Sequence, residues 1–196
     1  MCKFASFVLT KGEEFWSDKS DSHEEIIREN NLHADGAHGP NILRVEISPT
    51  NKIKIWPSLK EWTYEVDQDR MPEWFDAQEC EKRTRAALAR RYKKGFTHPN
   101  VIGCTALTEV SLPNATHANV IGCTALTEVS LPNATHAYVS GCTALTEVSL
   151  PNATYADVID CTALTEVSLP NATHPNVRGC NPGLKIITGK NCRIIR

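Results

Sequence analysis

The residues that first suggest chemistry are His23, Glu24 and Glu25, an imidazole followed directly by two carboxylates. Such a group could bind a metal ion or transfer protons if further ligands converged on it, and His33 and His38 are the candidates. The alternative is a solvated helix N-terminus, where acidic side chains interact favourably with the helix dipole. We favour the alternative, so the sequence predicts no catalytic residue, no metal site and no cofactor.

A second candidate is a set of carboxylates that recurs every 19 residues in the second half of the chain. Each lies in a Thr-Glu-Val-Ser segment, and stacking of these segments would align the glutamates in a row beside a row of serines. The row could bind a basic partner or cations, or it could keep a flat sheet soluble and prevent sheet association. The predicted binding residues on this face are Glu109, Glu128, Glu147, Glu166, Ser111, Ser130, Ser149 and Ser168.

A third candidate is the basic segment 82–94, in which seven of thirteen residues are Lys or Arg. It could bind nucleic acid or an acidic partner through Arg83, Arg85, Arg90 and Arg91. The alternative is that these are solvated cations near a helix C-terminus, where positive charge is favourable.

Two further rows recur with the same spacing. Imidazoles in a row could titrate together near neutral pH, but we expect them to be solvent-facing turn residues. Asparagines follow each strand-ending proline and are expected to bond the turn backbone. The first row contains His98, His117, His136, Tyr155 and His174, and the second contains Asn114, Asn133, Asn152 and Asn171.

All these rows arise from one repeat, whose period is fixed by cysteines at 104, 123, 142, 161 and 180. A fixed period of this size is typical of a solenoid. In the first unit, residues 108–112 alternate in polarity and precede a proline, which predicts a short strand with Val110 and Leu112 facing the core. Val120 and Ile121 are expected to add core contacts. The five ladder cysteines are expected to be buried and reduced, because in-register side chains point the same way.

The pattern Leu107-x-x-Val110-x-Leu112-Pro113, followed by a small residue and then Gly-Cys, resembles leucine-rich repeats. It is most similar to the short bacterial class typified by BspA-like surface proteins and treponemal repeat proteins, and the resemblance covers residues 97–196. It implies a parallel sheet on one side and a binding role without activity. Because 19 residues is a short repeat, tight turns rather than helices are expected on the convex side.

The first half of the chain differs in composition and predicts a small α+β capping domain over residues 1–96 that ends in a long helix, followed by a solenoid of four to five repeats over 97–196. Strands are predicted over 3–9, 43–47, 52–56 and 62–66, and helices over 22–30 and 72–94. The second helix, with Trp74, Phe75, Leu88, Tyr92 and Phe96, is expected to cover the first coil. Residues 185–195 are expected to form a final strand pair that caps the other end.

The opening segment 2–31 resembles uncharacterised domains that precede tandem repeats in phage and gut-bacterial proteins, which implies a module attached to a repeat array. The net charge is −2, shared equally between residues 1–96 and 97–196, so charge alone indicates no nucleic-acid or membrane partner. The chain has no long apolar run and no secretory signal, and we expect a cytoplasmic protein.

These observations favour a non-enzymatic repeat protein that binds a macromolecule, with a protein as the expected partner. A phage or mobile-element inhibitor of a host factor is one such role. Two alternatives stay open: an enzymatic N-terminal domain, directed at nucleotides or nucleic acid and targeted by the repeats, and a structural spacer.

Overall fold

The computed structural model describes residues 4–36, 39–49, 62–190 and 192–196. Its N-terminal part contains a four-stranded antiparallel sheet with the order β2-β1-β5-β6, together with a minor β3–β4 pair. The strands are β1 (Ala5–Leu9), β2 (Glu14–Phe15), β3 (Asp35–Gly36), β4 (Gly39–Pro40), β5 (Leu43–Pro49) and β6 (Trp62–Val66). The predicted strand at 52–56 lies outside the described residues.

Two helices accompany this sheet. Helix α1 (His23–Glu29) begins where the Ser22–Glu25 pair predicts, because the Ser22 hydroxyl accepts a hydrogen bond from the Glu25 backbone N–H. Helix α2 (Ala77–Lys94) begins five residues later than predicted. Pro72 forms a turn instead, in which the Phe75 N–H donates to its carbonyl, and Asp76 supplies the N-cap.

The repeats form a β-solenoid in which every coil contributes strands to two parallel sheets. One sheet contains β7 (Asn100–Ile102), β9 (His117–Ile121), β11 (His136–Ser140) and β13 (Tyr155–Ile159). The other contains β8 (Glu109–Ser111), β10 (Glu128–Ser130), β12 (Glu147–Ser149), β14 (Glu166–Leu169) and β15 (Lys185–Thr188). No helix lies on the convex side in the described coils, as expected, but a second sheet lies there where tight turns were predicted. Its strands form because Ala118 and Val120 alternate with outward residues, as a half-buried strand requires.

Equivalent residues of successive coils lie side by side. Val129 pairs with Val110 and Val139 with Val120, and these valines are buried with the repeat leucines and alanines. Ile121 is 36% exposed, so its predicted core position is wrong, because it falls on the outward phase of β9.

Side chains also bond from one coil to the next. The Thr135 hydroxyl donates to the Thr116 carbonyl (3.1 Å), and the Asn133 amide donates to the Pro113 carbonyl (2.7 Å). The asparagine at each equivalent position makes the same kind of bond, as predicted. These ladders satisfy turn carbonyls that the sheets leave unpaired.

Three of the five ladder cysteines follow the prediction in full, and two depart from it. Cys123, Cys142 and Cys161 are buried and free, Cys180 is half-buried and free, and Cys104 is disulfide-bonded. The expectation of a reduced Cys104 is therefore wrong. Burial raises the pKa of the Cys161 thiol to about 11, which makes it chemically inert at neutral pH.

The buried core runs without interruption from the N-terminal sheet into the coils. The Asn100 N–H donates to the Phe4 carbonyl (3.2 Å), and the Phe4 and Phe96 rings lie 4.7 Å apart. At the far end, Lys185–Thr188 extends the β14 edge, while Ile195 bridges to Asn176 on the other side. The two C-terminal segments therefore do not pair with each other as predicted. Lys185–Thr188 extends the sheet of β14, and Ile195 continues the side of the solenoid on which Asn176 lies. No helix in the described part of the chain is long and apolar enough to cross a membrane.

Candidate binding surfaces

The glutamate face is the outer surface of the sheet that contains β8, β10, β12, β14 and β15. Glu128 pairs with Glu109, and Glu147 pairs with Glu166, so the carboxylates form a row. Neighbouring strands in a sheet lie about 4.8 Å apart, which sets the spacing between these glutamates. The structure therefore brings the predicted glutamates and serines together on one surface.

The centre of this row carries the most exposed charge. Glu128 and Glu147 are exposed, whereas Glu166 forms an ion pair with Lys185 (2.7 Å) at the C-terminal edge. A groove of 540 Å³ runs over this centre, lined by the three glutamates with Thr127, Thr146 and Ser149 among others. The groove can therefore receive a cationic group with hydroxyl donors beside it.

The predicted basic residues of α2 do not form one free patch. Arg83 donates to the Lys11 and Glu13 carbonyls, and Arg85 pairs with Glu81 one turn earlier. The remaining two arginines reach the β2 region: Arg90 pairs with Glu14, and Arg91 pairs with Asp18.

Arg91 is the most enclosed of the four, with only 7% of its surface exposed. Its guanidinium lies 5.5 Å from the Trp16 ring and 5.8 Å from the Phe96 ring, and it also donates to the Ser17 carbonyl. Lys94 and Arg91 together hold the pKa of Asp18 below its usual value through hydrogen bonds. These contacts hold α2 against the N-terminal part. They also pair positive charges that a nucleic-acid-binding surface would need to contact phosphates.

The histidine face is the outer surface of the sheet containing β7, β9, β11 and β13. The sequence did not lead us to predict that these residues lie on strands. His117 and His136 begin strands instead of lying in turns, and their rings stack at 4.4 Å. Tyr138 and Tyr155 are each more than a third exposed and lie 5.3 Å apart. The alternation of the HANVI segment is the signal that identifies these residues as outward strand positions.

A cleft of 310 Å³ separates the start of the histidine face from the N-terminal part. Asp21 lies in it, where burial raises the pKa of its carboxyl to about 6, and the Asn100 amide donates to it (3.0 Å). Burial lowers the pKa of His98 and, on the same row, of His117, each with a neighbouring imidazole as a further cause. These polar groups therefore lie at the junction between the N-terminal part and the first coils, whose buried residues form one core.

His23, the first candidate from the sequence, is buried and not solvated as expected. Of its two predicted partners, His33 is not part of this cluster, and His38 lies outside the described residues. The neighbours are instead Asp67 and Glu46, whose carboxylate oxygens lie 3.4 Å and 3.9 Å from Nδ1. Both lie more than 20 residues away in the sequence, and the pairing of β5 with β6, together with the contact of His23 with β5, brings them close.

Comparison with known proteins gives no relative from which a role could be transferred. No family model, no curated protein and no solved structure matches this chain.

Proposed function

We propose that this chain is a non-enzymatic binding protein that holds a lysine- and arginine-bearing polypeptide on its glutamate face. The observation that carries the proposal is the in-register row of Glu109, Glu128, Glu147 and Glu166, of which the last three line one groove. The resemblance of the repeat to short bacterial leucine-rich repeats supports a binding role on the same side of the coil.

Charge favours this occupant over others. One exposed ion pair contributes only about 0.2–1 kcal/mol, so a single carboxylate would not select a partner. A regular row lets several cations of one extended chain pair at once, and the contributions add where the sites are independent. Like charges about 4.8 Å apart also repel each other, and a cationic partner relieves this repulsion.

The histidine face is the competing surface, because its tyrosines and isoleucines provide apolar contact area. It has no repeated charge that would specify the chemistry of an occupant. We therefore assign recognition to the glutamate face and use Tyr138 and Tyr155 as the comparison in the test.

The test is fluorescence anisotropy with a short labelled peptide rich in lysine and arginine. Replacing both Glu128 and Glu147 with Gln should weaken binding about tenfold, the combined effect of two surface pairs. The wild-type affinity should fall as salt screens the charges.

The matched control is Glu73→Gln with Glu79→Gln, which changes the net charge equally at exposed positions of the N-terminal part. This variant should bind like wild type. Equal loss in both double variants would show nonspecific attraction and contradict the proposal. Loss in Tyr138→Ala with Tyr155→Ala, but not in the glutamate variant, would assign binding to the histidine face instead.

A further inference from the structure

Three elements of the N-terminal part bring one imidazole and two carboxylates together. His23 is the first residue of α1, Glu46 lies in β5, and Asp67 follows β6 directly. One ligand atom from each lies within 4.8 Å of the other two. We propose that these three side chains bind a divalent transition metal ion of the zinc class.

The orientation of the imidazole is set by its other nitrogen. Nε2 lies 3.2 Å from the Val45 carbonyl, which can only accept a hydrogen bond, so Nε2 carries a proton. Nδ1 then faces the two carboxylates. Histidines that bind metals commonly donate their second ring N–H to a backbone carbonyl in this way.

The three side chains offer complementary ligand atoms. Nδ1 of the imidazole and the carboxylate oxygens of Asp67 and Glu46, at 3.4 and 3.9 Å from it, are all electron-pair donors, and a divalent cation among them is attracted to all three at once. His23 is only 5% exposed, so its ring is enclosed by the surrounding residues.

The distances fit a metal ion of this class. Zinc binds imidazole nitrogen and carboxylate oxygen at about 2.0–2.2 Å, so neighbouring tetrahedral ligands lie about 3.3–3.6 Å apart. The distance from His23 Nδ1 to the Asp67 carboxylate falls within that range. A small movement of the Glu46 side chain would bring its oxygen from 3.9 Å into the same range.

The surroundings support the ligands and leave a path for the ion. The Ser6 hydroxyl donates to Glu46 Oε1 (2.9 Å), which orients that carboxylate as second-layer partners of metal ligands do. The Asp67 side chain is 56% exposed while that of Glu46 is 15% exposed, so the site opens to solvent on the Asp67 side. Three protein ligands and an open fourth position allow water or a small anion to complete the coordination.

The test is calorimetric titration of chelator-treated full-length protein with Zn²⁺. Wild type should bind one equivalent at this site, and Asp67→Asn should weaken that binding at least about tenfold. Asp67 is exposed, so this variant should retain the fold, and Glu46→Gln provides a second variant with the same expectation. Asp69→Asn, an exposed acid two residues further on, is the matched control and should bind like wild type.

A second control is His117→Gln, which interrupts the stacked imidazoles, the competing zinc ligands on the histidine face. Loss of zinc binding in this variant, with Asp67→Asn unaffected, would overturn the proposal. Absence of saturable zinc binding in wild type would also overturn it.

Discussion

One residue before each ladder cysteine, the backbone adopts a left-handed conformation. Gly103, Gly122, Gly141 and Gly179 have φ values of 66, 66, 64 and 68°, and Asp160 adopts 55° at the equivalent place. Residues with a Cβ are strained there, but Asp tolerates this region better than most. The turn therefore depends on backbone conformation, and one coil has already accepted an aspartate.

Gly122→Ala should destabilise the protein by about 1–2 kcal/mol through this backbone strain. A Cβ at Gly122 would contact nothing closer than 3.9 Å, so crowding adds little. Gly122→Asp should have a smaller effect, as Asp160 shows. Urea unfolding of the three proteins measures the difference, and an equal effect for Ala and Asp would contradict this explanation.

The imidazole row gives the protein a sensitivity to acid. Because burial lowers the folded-state pKa of His98 and His117 below 6.5, the folded state disfavours their protonation. Their contribution to stability is complete above pH 6.5 and is lost as the pH falls below that value. The charge of Asp18 raises the pKa of His98, whereas that of Arg91 lowers it further. The neighbouring imidazole of His136 lowers the pKa of His117.

His117→Gln should therefore reduce the loss of stability between pH 7.5 and pH 5. Gln keeps a polar side chain in the row but cannot gain a charge. Thermal unfolding at several pH values measures the effect, with wild type showing the larger decrease in Tm. Parallel decreases in the two proteins would show that the row does not titrate as described.

At the scale of single elements, α2 is held by its apolar residues Cys80, Ala87 and Leu88, which are buried in the core, and by the buried Arg91. Arg91 pairs with Asp18, donates to the Ser17 carbonyl and lies between two aromatic rings. Arg85 pairs with Glu81 on the same helix, at the surface. The two residues have the same chemistry but very different burial.

Arg91→Ala should destabilise the protein by about 2–3 kcal/mol, because charged hydrogen bonds and stacking contacts are lost together. Arg85→Ala should change stability by less than about 0.5 kcal/mol, as expected of an exposed helical pair. Chemical unfolding followed at α2 tests both. A similar small effect for the two variants would mean that Arg91 does not fasten the helix.

The elements show what the sequence could and could not predict. Period and alternation predicted the solenoid and β8 with its equivalents, and the Ser22–Glu25 pair predicted α1. The second sheet was missed because tight turns were expected on that side of the coil, and the alternation of Ala118 and Val120 with outward residues was not recognised as a strand. The His23 cluster was not predictable, since local sequence does not specify how β5 and β6 pair.

At the scale of the whole molecule, the N-terminal part and the coils share one core. Phe4 lies against both Trp62 and Phe96, with ring centroids 5.0 and 4.7 Å away, next to the first coil. A solenoid leaves an apolar end that must be covered, and these rings lie where that end would be exposed.

A fragment of residues 97–196 should therefore associate into large species instead of folding as a monomer. Removal of residues 1–96 uncovers Val101 and Leu107, which are fully buried in the full chain. Size-exclusion chromatography with light scattering, beside the full-length chain as control, measures this. A monomeric fragment with a cooperative thermal transition would contradict the shared core.

Recognition of a basic polypeptide by the glutamate face is the central claim, and mapping the contact by NMR tests it most directly. Backbone amide signals of the full-length protein are compared with and without the lysine- and arginine-rich peptide. The account predicts shifts concentrated at Thr127, Glu128, Thr146 and Glu147, with β9, β11 and β13 unchanged. Shifts concentrated on those three strands or on the N-terminal sheet, with β10 and β12 unchanged, would contradict it.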